Sequence, residues 1–335
     1  MPDVVTFGEI MLRLSPPGHL RFTQTASFEI TFGGAEANVA VMVAQLGGSA
    51  GYVTRLPAAN DLAQRAINEL RGLGVDTASI VRAGDRMGVY FLEQGASQRP
   101  GKIIYDRAHS AIAEAQVSEF DWDKIFAGAK WFHWSGITPA LSASAVKVTQ
   151  AALAAAKRAG LAVSFDLNYR AKLWGKPEQA GATLGPLMKG VHLCVTSIEE
   201  AHAVFGIGGS REGGPRAAET AQLLCERFGF ETVALTQRQG TTADVTSWGA
   251  MLYHDGEPSF STRHEISIVD RVGAGDSFTG ALVFALLRGD APQKAVDFAV
   301  AASTLKHTIP GDYNVVSLAE VEALAGGGGG GRVQR

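Results

Sequence analysis

The chain has 335 residues, 46% of them hydrophobic and 19% charged, which suits one large α/β domain with an appendage and an ordinary globular composition. A net charge of −3 excludes a partner held by bulk electrostatics, such as duplex nucleic acid or an anionic membrane, so any phosphate must be bound locally. Cys194 and Cys225 fit neither a metal cluster nor a disulfide framework and read as buried thiols of a reducing compartment.

In chain order, "MPDVVTFGEI" reads directly as a strand, and no apolar run approaches the roughly 20 residues of a membrane span. A cytoplasmic protein is expected. Residues 10–32 then alternate apolar with polar positions around Pro/Gly turns, as an antiparallel ribbon with one wet face does. The helix "NVAVMVAQLG" precedes the strand "GYVT", so Gly47, Ser49 and Gly51 make a turn and not a nucleophile elbow, which needs the opposite order. Residues 86–106 repeat the ribbon pattern. Both ribbons interrupt the α/β series near strand ends, where a lid grows out.

From about residue 128, strand-length apolar runs alternate with Ala/Leu-rich segments of helical period. "KWFHWSG", "LAVSFDLN", "VHLCVTS" and "ETVALTQ" are the strands, separated by "SASAVKVTQAALAAAKRAG", "IEEAHAVFG" and "AAETAQLLCERFG". Such strands imply a parallel sheet covered on both faces, which binds ligands beyond its carboxyl edge. A single domain over residues 1–322 is expected, with a lid built from about 10–32 and 86–106 and a disordered glycine-rich tail at 323–335.

"VDRVGAGDSFTGAL", Val269 to Leu282, carries the chemistry. Gly275 and Gly280 have P-loop spacing, but Ala281 and Leu282 follow in place of Lys and Ser/Thr, so no Walker lysine exists. Gly273, Ala274 and Gly275 lead into an apolar helix, and without bulky side chains their N–H groups can converge on an anion with the helix dipole behind them. Asp276 beside that hole is either a plain first-turn carboxylate or the base that takes the proton of an attacking hydroxyl. The eight histidines include no H-E-x-x-H, so any metal sits on oxygens.

"DRVGAGDSFTGAL" and "FGGAEANVAVMVAQLG" resemble, in order and spacing, the two signature regions of the ribokinase-like (PfkB) carbohydrate kinases. The resemblance implies a three-layer α/β/α sandwich with a mostly parallel central sheet and a small β-sheet lid. It implies ATP and Mg²⁺, Asp276 as catalytic base, Gly273, Ala274 and Gly275 as the anion hole, and a monovalent cation such as K⁺ beside Asp270. It also implies sugar contacts from Gly33, Gly34 and Asn38, whose amide both donates and accepts. The family's N-x-x-E motif appears as Ser197-Ile198-Glu199-Glu200, which leaves Glu200 for Mg²⁺, through water, and puts Ser197 where asparagine is usual. Near the nucleotide the resemblance implies Thr236, Arg238 and Gly240 in "LTQRQGT", and Ser303 and His307 in "AASTLKHTIPGD"; His307 alone also reads as a helix-end residue.

Arg107 in "IIYDRAHSA" and Arg170 in "SFDLNYRAKLW" offer guanidinium forks that match a carboxylate, though each singly also reads as a surface residue. With Tyr90, Tyr105 and Asn168 they are similar to segments of the family's 2-keto-3-deoxygluconate kinases. That resemblance implies transfer of the ATP γ-phosphoryl group to the 6-hydroxyl of this keto acid. Fructose, ribose or 5-keto-2-deoxygluconate as the sugar, and a non-catalytic sugar- or nucleotide-binding protein, stand as alternatives. The one-sided ribbons imply a homo-oligomer.

Overall fold

The computed structural model describes residues 1–208, 215–240 and 242–328. Its main sheet has nine strands. Ala50–Val53, Val4–Phe7, Trp131–Ser135, Ala162–Asp166, Leu193–Thr196 and Thr232–Gln239 run parallel in that spatial order. Three antiparallel strands, Val245–His254, Glu257–Phe260 and His264–Ser267, complete the far edge.

The strands are short and apolar on both sides because both faces are covered. Val4, Leu193, Val195 and Ala234 join one core with Met42, Phe278, Leu282 and Val296. Their neighbours Val5, Cys194, Val233 and Leu235 join the other, with Val148, Ala152, Leu184 and Leu224. The expected three-layer α/β/α sandwich is formed, and Cys194 is buried in the second core.

The Ala143–Arg158 helix shows how the sequence sets these layers. Ser142 caps it by accepting from the Ala145 N–H at 3.0 Å, and its buried positions Ala145, Val148, Thr149, Ala152, Ala155 and Ala156 follow helical spacing. The Ala274–Leu287 helix differs, because it is apolar nearly all round and packs between Ala35–Gln45 and Pro292–Lys306. Phe278 and Leu282 are fully buried there, each worth about 1.5–3 kcal/mol of burial. That anchors the start of this helix against the sheet edge.

A second, four-stranded sheet has the order Glu29–Gly33, Met11–Ser15, Val89–Glu93, Lys102–Asp106. The two outer pairings are antiparallel, as the alternating ribbons imply. The central pair, Met11–Ser15 with Val89–Glu93, is parallel, because the ribbons come from separate insertions and meet side by side. At the carboxyl end the Leu318–Ala325 helix extends into the expected tail, and residues 329–335 lie outside the described residues.

Candidate active site

The parallel strands end at Phe7, Ser135, Asp166 and Thr196, all on one edge of the sheet, and the start of the Ala274–Leu287 helix faces that edge. Gly273 is its N-cap in the left-handed region, φ 82°, where glycine carries no Cβ penalty. A Cβ there would lie 2.0 Å from the Asp312 carbonyl oxygen, whereas one on Gly275 would meet nothing within 4 Å. The first glycine is needed for packing, and the second leaves an open face.

Ala274 donates its N–H to the Arg271 carbonyl at 3.3 Å. The amides of Gly273, Gly275 and Asp276 have no hydrogen-bond partner among the described residues, as the first turn of a helix requires. The anion hole therefore has these donors, with Ala274 partly engaged. Asp276, buried beside them, accepts from the Asn38 side-chain amide at 2.6 Å. Burial pushes its carboxyl up to about 6, with the Asn38 hydrogen bond and the Arg170 charge opposing. At neutral pH it is mostly ionised and its basicity lies near the working range, as a general base requires.

The three residues of the first signature, Gly33, Gly34 and Asn38, make contacts within the protein. Cβ atoms on Gly33 and Gly34 would strike the Asp312 carboxylate at 1.9 Å and the Glu9 carbonyl oxygen at 1.9 Å. These glycines let protein segments close together where a side chain would project. Asn38 receives the Gly34 N–H at 3.4 Å and holds Asp276, so it positions the base.

A second carboxylate group lies at the neighbouring strand ends. Asp166 accepts from the Asn168 N–H at 3.0 Å and its side-chain amide at 3.3 Å, with Asn168 in the left-handed region, φ 42°. Glu200 accepts from the Tyr169 N–H at 3.0 Å and from Thr196 Oγ1 at 3.4 Å. Burial raises both carboxyls, and the Glu200 charge raises Asp166 further. Asn168 Oδ1 is buried with no partner. Hard oxygen donors of this kind fit Mg²⁺ held partly through water. Ser197 accepts the Glu200 N–H at 3.1 Å as N-cap of the Ile198–Phe205 helix, a role serine fills as well as asparagine does.

Across the cleft the lid presents its inner face. Tyr90 and Tyr105 are register partners with rings 6.1 Å apart. The Tyr90 hydroxyl is committed to Asp312, at 2.7 and 2.6 Å from its two oxygens. Arg13 bridges Asp270 (2.6 Å) and Asp312 (2.8 Å), all three buried. Arg107 corrects a sequence expectation: its guanidinium meets Glu9, Nε at 2.7 Å and also through Nη2, and Ser110 completes the carboxylate at 2.6 Å. A buried guanidinium needs this neutralisation, so Arg107 is not a free carboxylate clamp. Arg170 is exposed, and its charge bears on Asp276, Asp166 and Glu200.

Both carboxylate oxygens of Asp270, and its carbonyl, are engaged within the chain. Val272 N–H takes Oδ1 at 3.0 Å, Arg13 and the Gly311 N–H (3.1 Å) take Oδ2, and the Lys306 ammonium reaches its carbonyl at 3.4 Å.

Beside Asp270 a cavity of about 410 Å³ opens between lid residues 92–101 and Gly240, Thr242, Ala243, Asp244 and residues 268–272. Gly240 and Arg271 line it, and Arg238 is exposed close enough for its charge to lower Arg271 after burial has done so. The segment that carries Thr236 and Arg238 is strand as far as Gln239, because it pairs antiparallel with Val245–His254. Thr236 Oγ1 donates to the Thr196 carbonyl at 3.3 Å. Ser303 and His307 are buried: Ser303 donates to the Ala274 carbonyl at 2.6 Å, and His307 Nδ1 meets the Ser303 carbonyl at 2.7 Å with its ring on Trp248. They brace the turn from behind.

Sequence reasoning missed Glu9, Arg13, Asp166, Arg271, Lys306 and Asp312. Asp166 carried a signal, a carboxylate at a strand end in "SFDLN"; the others depend on contacts between distant segments.

A sequence profile of the pfkB family carbohydrate kinases matches residues 1–317. The chain is 38% identical over 328 residues to a 2-dehydro-3-deoxygalactonokinase of Haloferax volcanii, covering 97% of each chain. It is 31% identical to a 2-dehydro-3-deoxygluconokinase of Thermoproteus tenax, covering 97% of this chain and 94% of that one. The crystal structure of a 2-dehydro-3-deoxygluconokinase from Thermotoga maritima superposes with a TM-score of 0.95 at 50% identity, covering 97% of this chain and 100% of that one.

Proposed function

The chain belongs to the pfkB family of carbohydrate kinases, and from that premise we propose that it transfers the ATP γ-phosphoryl group to the 6-hydroxyl of 2-keto-3-deoxygluconate (2-dehydro-3-deoxygluconate). The names of the relatives support a sugar acid. The observation that carries the chemistry is Asp276 held by Asn38 beside three unbonded amides.

In this reading Asp276 removes the proton of the attacking hydroxyl as its oxygen bonds to the γ-phosphorus, and the bridging oxygen leaves with ADP. The Gly273 and Gly275 amides bond the phosphoryl oxygens while charge builds on them. Arg170, the open guanidinium near the base, takes the carboxylate at the far end of the sugar, and Tyr105 lies along the lid side. Arg238 and Arg271 face the nucleotide's phosphates. Glu200 and Asp166, with Asn168, would hold Mg²⁺ through water, and that ion would supply neutralisation of phosphate charge. Intracellular ATP sets the compartment as cytoplasmic.

The lid also supports self-association. Ile30, Leu14, Phe91 and Ile104 form one cross-strand row on its outer face, and Phe28, Ile30 and Ile104 are each more than a third exposed. We assign this row to a contact with a second copy.

The deciding experiment measures ADP release with MgATP and, separately, 2-keto-3-deoxygluconate, its galactonate epimer and fructose. The keto-deoxy acids should exceed fructose in kcat/KM by at least about tenfold. Faster turnover of fructose removes the substrate assignment, and sugar binding without any ADP release removes the kinase.

A further inference from the structure

Lys306 is fully buried at the last position of the Pro292–Lys306 helix. Its ammonium makes no carboxylate pair within salt-bridge distance among the described residues. It donates to two backbone carbonyls, Ile309 at 3.0 Å and Asp270 at 3.4 Å. A buried lysine with only carbonyl partners is uncommon, since an isolated charge is costly inside a protein. Here the compensation is local. Burial pulls the ammonium down from its usual range, and the charges of Asp270, Asp312 and Asp276 oppose that.

Those two carbonyls belong to the segments that form the anion-binding turn. Val269 and Asp270 donate their N–H groups to the His307 carbonyl at 2.8 and 3.1 Å, and Gly273 packs on the Asp312 carbonyl. The ammonium thus stands behind residues 270–275, with carbonyl oxygens from two loops turned toward it. Alkali-metal ions are held in proteins by carbonyl oxygens in this way. The place where the family resemblance set a monovalent ion is therefore occupied by chemistry of the chain's own.

We propose that Lys306 is a positioning residue that supplies, from within the chain, the positive charge behind the phosphoryl-binding turn, so that phosphoryl transfer requires no alkali-metal cation. The ammonium orients the Asp270 and Ile309 carbonyls backward, which leaves the Gly273 and Gly275 amides facing the phosphoryl group. The inference rests on phosphoryl transfer at this turn but not on which sugar accepts it.

The test compares the full-length protein in 100 mM potassium chloride and in the same concentration of tetramethylammonium chloride. Melting temperature is read without substrates, and turnover with MgATP and whichever sugar proves active. Wild type should melt within about 1 °C in the two salts and turn over within about twofold. Lys306→Met should lose at least about tenfold in kcat, with sugar KM changed less than about threefold. Lys306→Ala should gain a melting-temperature rise specific to potassium, with part of its turnover restored. A potassium-specific rise or activation of wild type overturns the proposal, as does full kcat in Lys306→Met. Should either variant fail to fold, the wild-type comparison decides alone, and its melting arm stands even where no sugar is phosphorylated.

Discussion

At Asp276 the carboxylate is forced into a site that favours its protonated form. Asp276→Asn keeps the Asn38 contact and removes the base, so turnover should fall by about 10²-fold or more while ATP binding measured by calorimetry is retained. The same variant tests stability. A folded-state value near 6, above the usual 3.8, means wild-type stability is full below about pH 4 and declines as pH rises through 6. The Asn variant escapes that decline. Denaturation should find it more stable than wild type at pH 7.5, by up to about 3 kcal/mol, with the gap closing near pH 4. Gly273→Ala and Gly275→Ala separate two kinds of glycine: the first meets the Asp312 carbonyl and a strained φ and should lower the melting temperature markedly. The second should melt like wild type yet lose turnover, because its methyl group enters the open face. The glycines and Asp276 were legible because their chemistry is local to one turn. The Asn38 bond spans 238 positions and the Arg107 contact 98, and no spacing rule reports that Glu9 has already claimed Arg107.

Among the elements, the Ile198–Phe205 helix shows a substitution that changes letters and keeps the physics. Ser197 caps its first turn and holds the Glu200 N–H. Ser197→Ala should cost about 1 kcal/mol in urea denaturation and raise the KM for MgATP, since Glu200 loses its anchor; Ser197→Asn should match wild type in both. Parallel strands and their helices were readable because a continuously apolar run of four or five residues has few other fates. The antiparallel edge was not, because Val245–His254 is buried mainly in its centre and less so at its ends, and its sequence, VTSWGAMLYH, mixes polar and small residues with apolar ones. Nor was the parallel pairing inside the lid, which is set by where two insertions meet and not by either one's pattern.

For the whole molecule, charge burial ties the lid to the catalytic turn. Arg13, Asp270 and Asp312, with Lys306 close by, hold two positive and two negative groups in the interior. Removing one partner of such a set costs about 3–5 kcal/mol. Arg13→Met should therefore destabilise the protein by that order in chemical denaturation, and raise sugar KM because the lid strands lose their tie. The lid's outer row makes a separate prediction. Ile104→Glu should move the protein toward monomer in sedimentation velocity while its melting temperature stays within a few degrees, as this side chain lies outside both main cores.

The Arg13 to Asp312 bridge joins positions 299 residues apart, and this bears on how the protein is born. Arg13 meets its first counter-charge only once Asp270 has been made and its second only with Asp312, so a nascent chain carries an incompletely neutralised guanidinium at a half-made cleft until synthesis is nearly finished. Premature termination upstream of residue 312 would leave a chain that holds most of its sheet yet stays open to proteases, and the cell would clear it before it could sequester nucleotide.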